Sequence, residues 1–120
     1  MASTVTPVEE RRKRALRVLG YLFLRMGQFA RARRLFAALA ALDSGDVHAR
    51  CCLAHACIRL ADGEAALHTL TGLAPGDPVP GGDAMLHLLL ARAHALTGDD
   101  QAAREEAAAF WNVRRAGGNL

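Results

Sequence analysis

A pattern of small and apolar residues returns after 34 residues and constrains the fold more than any other feature of this chain. Each copy holds an apolar–small pair, then a small residue, then an alanine further along. The first copy has Leu19-Gly20, Gly27, Phe29, Ala32 and Phe36, and the second has Leu53-Ala54, Ala61, Gly63, Ala66 and Leu70. A weaker third copy follows after 37 residues, with Leu90-Ala91, Gly98, Asp100, Ala103 and Ala107. A period of this length predicts stacked helical hairpins, with small residues where two helices cross and where they turn.

The predicted fold is therefore all-α, with three tetratricopeptide-like helical hairpins stacked as a short right-handed solenoid. The 120 residues form a single domain, 1–120, with repeats at about 13–46, 47–80 and 84–115 and a disordered segment at 1–5. Six helices are expected, at about Pro7–Met26, Phe29–Leu42, Val47–Ala61, Gly63–Leu73, Ala84–Thr97 and Asp99–Arg115. Their predicted N-caps include Thr6, Asp46, Asp62 and Asp83. Three prolines and several glycines in 74–82 predict a loop, which accounts for the longer third spacing.

Composition narrows the function classes. Hydrophobic residues make up 52% and aromatic residues only 5%, which favours helices packed through small side chains. An apolar run of 18 residues and an apolar leader are both missing, so we expect a cytoplasmic protein with no membrane insertion. A glycine-rich phosphate loop and a catalytic triad or carboxylate pair are missing as well. We therefore expect no enzymatic activity and no cofactor.

Charge is distributed unevenly along the chain. Nine Lys and Arg residues and no acid lie between Arg11 and Arg34, although the formal net charge is only +3. Such a basic block can bind nucleic acid or an anionic membrane surface. Because no base-stacking aromatic residues are interleaved with these arginines, we favour a protein partner and expect no nucleic acid.

The repeat register predicts which residues line the concave groove of the stack. With Gly27 at position 15 of a repeat, the groove-facing positions are Arg14, Arg17, Tyr21, Leu24 and Arg25 in repeat 1, His48, Cys51, His55, Ile58 and Arg59 in repeat 2, and Met85, Leu88, Arg92, Ala95 and Leu96 in repeat 3. This lining is apolar and basic and contains no acid. It suits an amphipathic helical segment that carries carboxylates. The alternative is that some of the apolar members belong to the hairpin core.

One helix carries residues at metal-ligand spacing. His48, Cys52 and His55 lie at i, i+4 and i+7, so they share one side of the predicted helix. A structural metal site needs four ligands, generally from more than one element, and no CxxC pair is present. We therefore expect no metal.

Three segments together resemble a known family. These are RALRVLGYLFLRMGQFARARRLFAALAALDSGD (14–46), HARCCLAHACIRLADGEAAL and LHLLLARAHALTGDDQAAREEAAAFW. They are similar to the SctY (YscY-type) family, small tetratricopeptide chaperones of bacterial type III secretion systems. The resemblance covers about residues 11–112. It rests on three hairpins, the short length, the LGYLFLRMGQFARA opening and the late LARAHALTGDDQAA.

The resemblance implies a cytosolic chaperone that binds an early secreted protein of the SctX (YscX) type in its groove. The pair would then engage the export gate protein SctV, peripherally at the inner membrane. Because three repeats are near the lower limit for a stable stack, self-association without the partner is a further expectation. The family implies no catalytic residues. Two alternatives stay open: a generic tetratricopeptide scaffold between proteins, and a chaperone of the needle subunit.

Overall fold

In the part of the chain that the structure describes, six α-helices follow one another, with short connections apart from a longer loop at 71–81. A computed structural model describes residues 6–118, so the predicted disorder of residues 1–5 lies outside the described residues. The helices are α1 (Pro7–Arg25), α2 (Phe29–Leu42), α3 (Val47–Arg59), α4 (Gly63–Leu70), α5 (Gly82–Leu96) and α6 (Asp100–Gly118). No strand occurs in this part of the chain. The all-α class and the six predicted helices are confirmed.

Side-chain caps begin most of these helices; those at Thr6, Asp46 and Asp62 were predicted, and the cap at Asp99 was not. In each case a side-chain oxygen accepts the N–H three residues later, which satisfies one of the free donors of the first turn. These caps are Thr6, Asp46, Asp62 and Asp99, with bonds of 3.1, 3.0, 3.1 and 3.1 Å. The N-cap of α2, Gln28, makes no such bond.

The predicted start of α5 is wrong. This helix begins at Gly82, one residue before the predicted cap Asp83, and its N-cap is Gly81 in the left-handed region at φ +87°. Asp83 lies in the first turn instead, and its carboxylate accepts the backbone N–H of Gly76 at 2.9 Å. The loop competes for this carboxylate, because its own backbone donors also need partners.

The three helix pairs close with the same backbone turn. The second residue after the first helix of each pair has a positive φ: Gly27 at +74°, Ala61 at +60° and Gly98 at +83°. The next N–H bonds the carbonyl five residues earlier, from Gln28 to Phe23, from Asp62 to Cys57 and from Asp99 to His94, at 2.8, 2.8 and 3.0 Å. This is the Schellman arrangement, which satisfies carbonyls at a helix end. It also stops α3 at Arg59, two residues before the predicted end.

The fourth helix ends earlier than predicted, at Leu70 rather than Leu73. Thr71 leaves the helical region at ψ 130°, and Gly72 follows with φ +87°. The Arg50 side chain donates to the carbonyls of Thr69 and Thr71. A cation at a helix C-terminus satisfies free carbonyls and complements the helix dipole, so α3 itself helps to end α4.

The packing joins the helices in two ways. Each helix packs against the next, and the odd-numbered helices also pack on one another, α1 on α3 and α3 on α5. The core has two clusters, one around Phe36 and Leu39 and the other around Leu70, Leu86 and Leu89. The small repeat residues Ala32 and Ala66 are fully buried within them. This arrangement places α1, α3 and α5 side by side.

Two glycines allow helices to approach closely. A Cβ on Gly20 would lie 2.7 Å from the Phe36 ring, and a Cβ on Gly63 would lie 2.7 Å from Leu96 Cβ and 2.8 Å from the Ala93 carbonyl oxygen. Close packing of this kind leaves no room for a methyl group unless the helices move apart.

Two ion pairs repeat with the same geometry. Arg17 of α1 reaches Asp46 at 2.6 Å, and Arg33 of α2 reaches Asp62 at 2.8 Å, each across 29 residues. Both aspartates use their other carboxylate oxygen to cap a helix. Each arginine thus links one helix to the start of the helix two places later.

Candidate functional site

A cavity of about 410 Å³ opens where α1, α3 and the start of α5 meet. It is lined by Tyr21, Leu24, Arg25, Cys51, Cys52, His55, Pro80, Gly81, Met85 and Leu89. The three odd-numbered helices supply most of this lining, because they are the helices that pack side by side. Its surface is mainly apolar with a few polar groups, as expected for a site that binds an amphipathic ligand.

The cavity brings together six of the predicted groove residues. These are Tyr21, Leu24, Arg25, Cys51, His55 and Met85. Cys51 is buried, whereas Tyr21 is half exposed and Met85 is 37% exposed. The accessible surface therefore comes from the tyrosine, the methionine, the histidine and the arginine rather than from the thiol.

Four lining residues were missed by the repeat register. Cys52 and Leu89 lie on predicted helices but outside the positions that the register selects, and Pro80 and Gly81 belong to the loop before α5. The only signal for the loop residues was the 37-residue spacing. That spacing predicts extra length but not where the extra residues go.

Arg17 is engaged within the chain. Its guanidinium donates to Asp46 at 2.6 Å, and the Asp46 side chain is only 11% exposed. Burial alone raises the pKa of Asp46, but the hydrogen bond from the Ala49 N–H and the Arg17 guanidinium together lower it below its ordinary value. An acid therefore lies against the predicted lining, which was expected to contain none, and Arg17 serves mainly to hold α1 to α3.

His48 lies in the same protected region. Its ring is 6.3 Å from that of Phe36, and burial, followed by the charge of Arg17, lowers its pKa below the ordinary histidine value. A neutral ring packed on a core phenylalanine contributes more to α2–α3 packing than to the cavity.

Other predicted residues lie outside the cavity. Ile58 is 9% exposed and belongs to the core, as the alternative reading of the apolar positions proposed. Leu88 is half-buried on α5. Arg14 lies on another side of α1, beside Val18 and Leu22.

Arg25 lines the cavity, whereas the predicted groove residues Arg59 and Arg92 lie outside its lining but close to His55. Arg59 stacks on Phe29, with its guanidinium carbon 4.6 Å from the ring centroid. His55 meets the same ring edge-on at 6.4 Å. Burial lowers the pKa of His55, and the nearby charges of Arg92 and then Arg59 lower it further. Within residues 6–118, Arg25, Arg59 and Arg92 form no ion pair. The cavity thus carries unneutralised positive charge beside apolar surface, which favours an anionic and apolar ligand.

The cysteines and histidines of α3 do not form a reactive centre. Cys52 Sγ lies 3.8 Å from His48 Nδ1, but burial, then Cys51 and Asp46, raises the pKa of the Cys52 thiol to about 12. A protonated thiol is a poor nucleophile. In the described part of the chain, no group of three or more His, Cys, Asp or Glu residues is arranged to hold a metal ion.

Between residues 6 and 118, no helix is both long enough and apolar enough to cross a membrane. Comparison of the chain with protein-family models and with curated proteins finds no match.

Proposed function

We propose that this chain is a tetratricopeptide-like chaperone of a bacterial type III secretion system, which holds an early secreted protein of the SctX type in the groove formed by α1, α3 and α5. In this proposal the six helices form three hairpins stacked as a short right-handed solenoid. Three identical Schellman turns and the packing of every odd-numbered helix on the next support that arrangement.

One observation carries the proposed groove. Six residues selected only by their place in a 34-residue repeat converge on one cavity from three separate helices. Helices that were not stacked in register would scatter these positions over the surface. A concave surface built from side chains at repeated positions is what stacked hairpins use to bind peptides.

The chemistry of the cavity defines the proposed ligand segment. Tyr21 and Met85 offer apolar contact and Arg25 offers a cation in the lining, while Arg59 and Arg92 add positive charge near His55. None of the three arginines forms an ion pair within the described residues. An amphipathic helix with apolar residues on one face and Asp or Glu on its border satisfies both. The bound pair would then reach the export gate protein SctV from the cytoplasmic side.

Co-expression with a candidate SctX-type protein tests this proposal. We expect a stable stoichiometric complex in size-exclusion chromatography with light scattering. Arg25→Glu and Arg92→Glu should each weaken the complex about tenfold or more, because they place a carboxylate where the ligand's carboxylates bind. Arg104→Glu is the matched control, since Arg104 is exposed on α6, which supplies no residue to the cavity lining.

Arg17 is not a suitable position for this test, because a carboxylate there would face Asp46 and destabilise the fold. If the chain stays monomeric and does not bind the SctX candidate, the proposal is contradicted. Binding of a needle subunit instead would support the alternative chaperone class, and binding of neither would favour a generic scaffold.

A further inference from the structure

The first helix leaves an apolar stripe exposed. Val18, Leu22 and Met26 are 57%, 49% and 65% exposed, and Ala15 and Leu19 are exposed beside them. These residues lie on the side of α1 opposite Gly20, which packs against α2. The stripe is separate from the groove and does not depend on the function proposed for it.

The spacing of the stripe matches that of a helix-packing seam. Ala15 and Leu22 are seven residues apart, as are Leu19 and Met26. Apolar residues at this period form a nearly straight line along a helix, against which a second helix packs at a shallow angle. The side chains surround a shallow hollow of about 450 Å³, which can accept side chains from such a helix.

The two ends of the chain differ in this respect. The last helix, α6, exposes mostly polar and charged residues, among them Gln101, Arg104 and Glu105, although Trp111 is also exposed. A terminal element of a helical stack needs a polar outer face to remain soluble alone. By this criterion the exposed face of α6 is suited to water, whereas the apolar stripe of α1 is suited to a partner.

Cations border the stripe. Arg11 and Arg14 line the hollow itself, and Arg12 lies on the opposite border. The described ion pairs do not include any of these three arginines. An occupant therefore has to supply negative charge on both sides of its own apolar seam.

We propose that α1 is a second docking surface, which binds an amphipathic helix of a partner protein whose apolar heptad seam is bordered by Asp and Glu. A second copy of this chain fits less well. Antiparallel pairing of two α1 helices about Val18 would set Arg11 of one copy against Arg25 of the other, so like charges would meet. A lipid surface also fits less well, because this face carries no Trp or Phe to anchor at a membrane interface.

Two designed peptides test the proposal. Each is a helix of three heptads with Leu at the seam positions; one has Glu at the bordering positions and the other has Lys. Binding to the full chain is measured by fluorescence anisotropy with a labelled peptide. We expect the Glu peptide to bind at least about tenfold more tightly than the Lys peptide, and less tightly as salt is raised.

Variants of exposed residues locate the binding. Leu22→Gln should weaken the Glu peptide about tenfold, since it puts a polar amide at the centre of the seam. The double change Arg11→Glu and Arg14→Glu should reverse the preference toward the Lys peptide. Arg92→Glu should leave the affinity for the Glu peptide unchanged, because Arg92 lies near the groove and not on the stripe. A failure of the stripe proposal can therefore be distinguished from a failure of the groove proposal. Circular dichroism checks that each variant keeps its helices.

Several outcomes would overturn the proposal. These outcomes are no binding of the Glu peptide, binding no tighter than that of the Lys peptide, and equal binding of the Glu peptide to Leu22→Gln and to the original chain. Sedimentation of the chain with phosphatidylserine–phosphatidylcholine vesicles, lost in Leu22→Gln, would assign the stripe to a membrane surface. A dimer in analytical ultracentrifugation that Leu22→Gln dissociates would assign it to a second copy.

Discussion

Ala61 stands where the other two hairpin turns have glycine, and replacing it should stabilise the fold. Its φ of +60° lies in the left-handed region, as do those of Gly27 and Gly98. That region costs a residue with a Cβ roughly 1–2 kcal/mol. Glycine avoids this strain, but its greater conformational freedom in the unfolded chain lowers the free energy of unfolding by about 0.4–1 kcal/mol. Because Ala61 is exposed, its methyl group contributes little packing. We expect Ala61→Gly to raise the free energy of unfolding by about 0.5–1 kcal/mol.

Urea denaturation followed by far-UV circular dichroism measures this change, with the midpoint expected to rise and the slope to stay constant. In a thermal scan the melting temperature should rise by roughly 2–5 °C for a domain of this size. Gly27→Ala and Gly98→Ala are the matched controls. No atom lies within 4 Å of a Cβ at either glycine, so only backbone strain acts there. Each substitution should lower the free energy of unfolding by about 1 kcal/mol. A destabilising Ala61→Gly, or neutral controls, would refute the view that the three turns are equivalent.

Three further changes test the helix ends and crossings, each by urea denaturation. Gln28→Asp supplies the side-chain cap that α2 lacks and should add about 1 kcal/mol; an unchanged stability would contradict this. Gly63→Ala should cost roughly 2 kcal/mol or more, since its Cβ would lie 2.8 Å from the Ala93 carbonyl oxygen, and a neutral result would mean that α4 and α5 can separate freely. Burial raises the pKa of Asp46, but its capping bond and Arg17 lower it overall. Its contribution is thus complete above about pH 4 and is lost as the pH falls through the lower, folded-state pKa. Asp46→Asn should therefore flatten the acid limb of the stability profile, and an unaltered slope would refute the assignment.

The helices could be predicted from the sequence because the signals that define them are local. An N-cap such as Asp46 or Asp62 acts within three residues, and an apolar face is visible as a period of three or four. The helix boundaries were harder to predict where residues from another part of the chain contact the helix end. The end of α4 involves Arg50 on a different helix, and Asp83 bonds the loop rather than capping α5.

The candidate cavity was predicted in part for the same reason. A repeat register identifies residues that occupy equivalent places on their own helices, so Tyr21, His55 and Met85 could be selected together. It carries no information on what else reaches those places. Asp46 neutralises Arg17, and Pro80 enters from the loop, because both depend on how the helices stack.

The sequence alone determined that this chain is a set of helices separated by turns at equivalent positions, because helix formation, capping and left-handed turns depend on neighbouring residues. Only the tertiary structure decided which arginines are neutralised within the fold and which stay available. Charges far apart in the chain interact only once packing brings them within a few ångströms. Packing likewise decided that α1 keeps an apolar stripe exposed, because burial depends on the neighbours that a helix meets and not on its own periodicity.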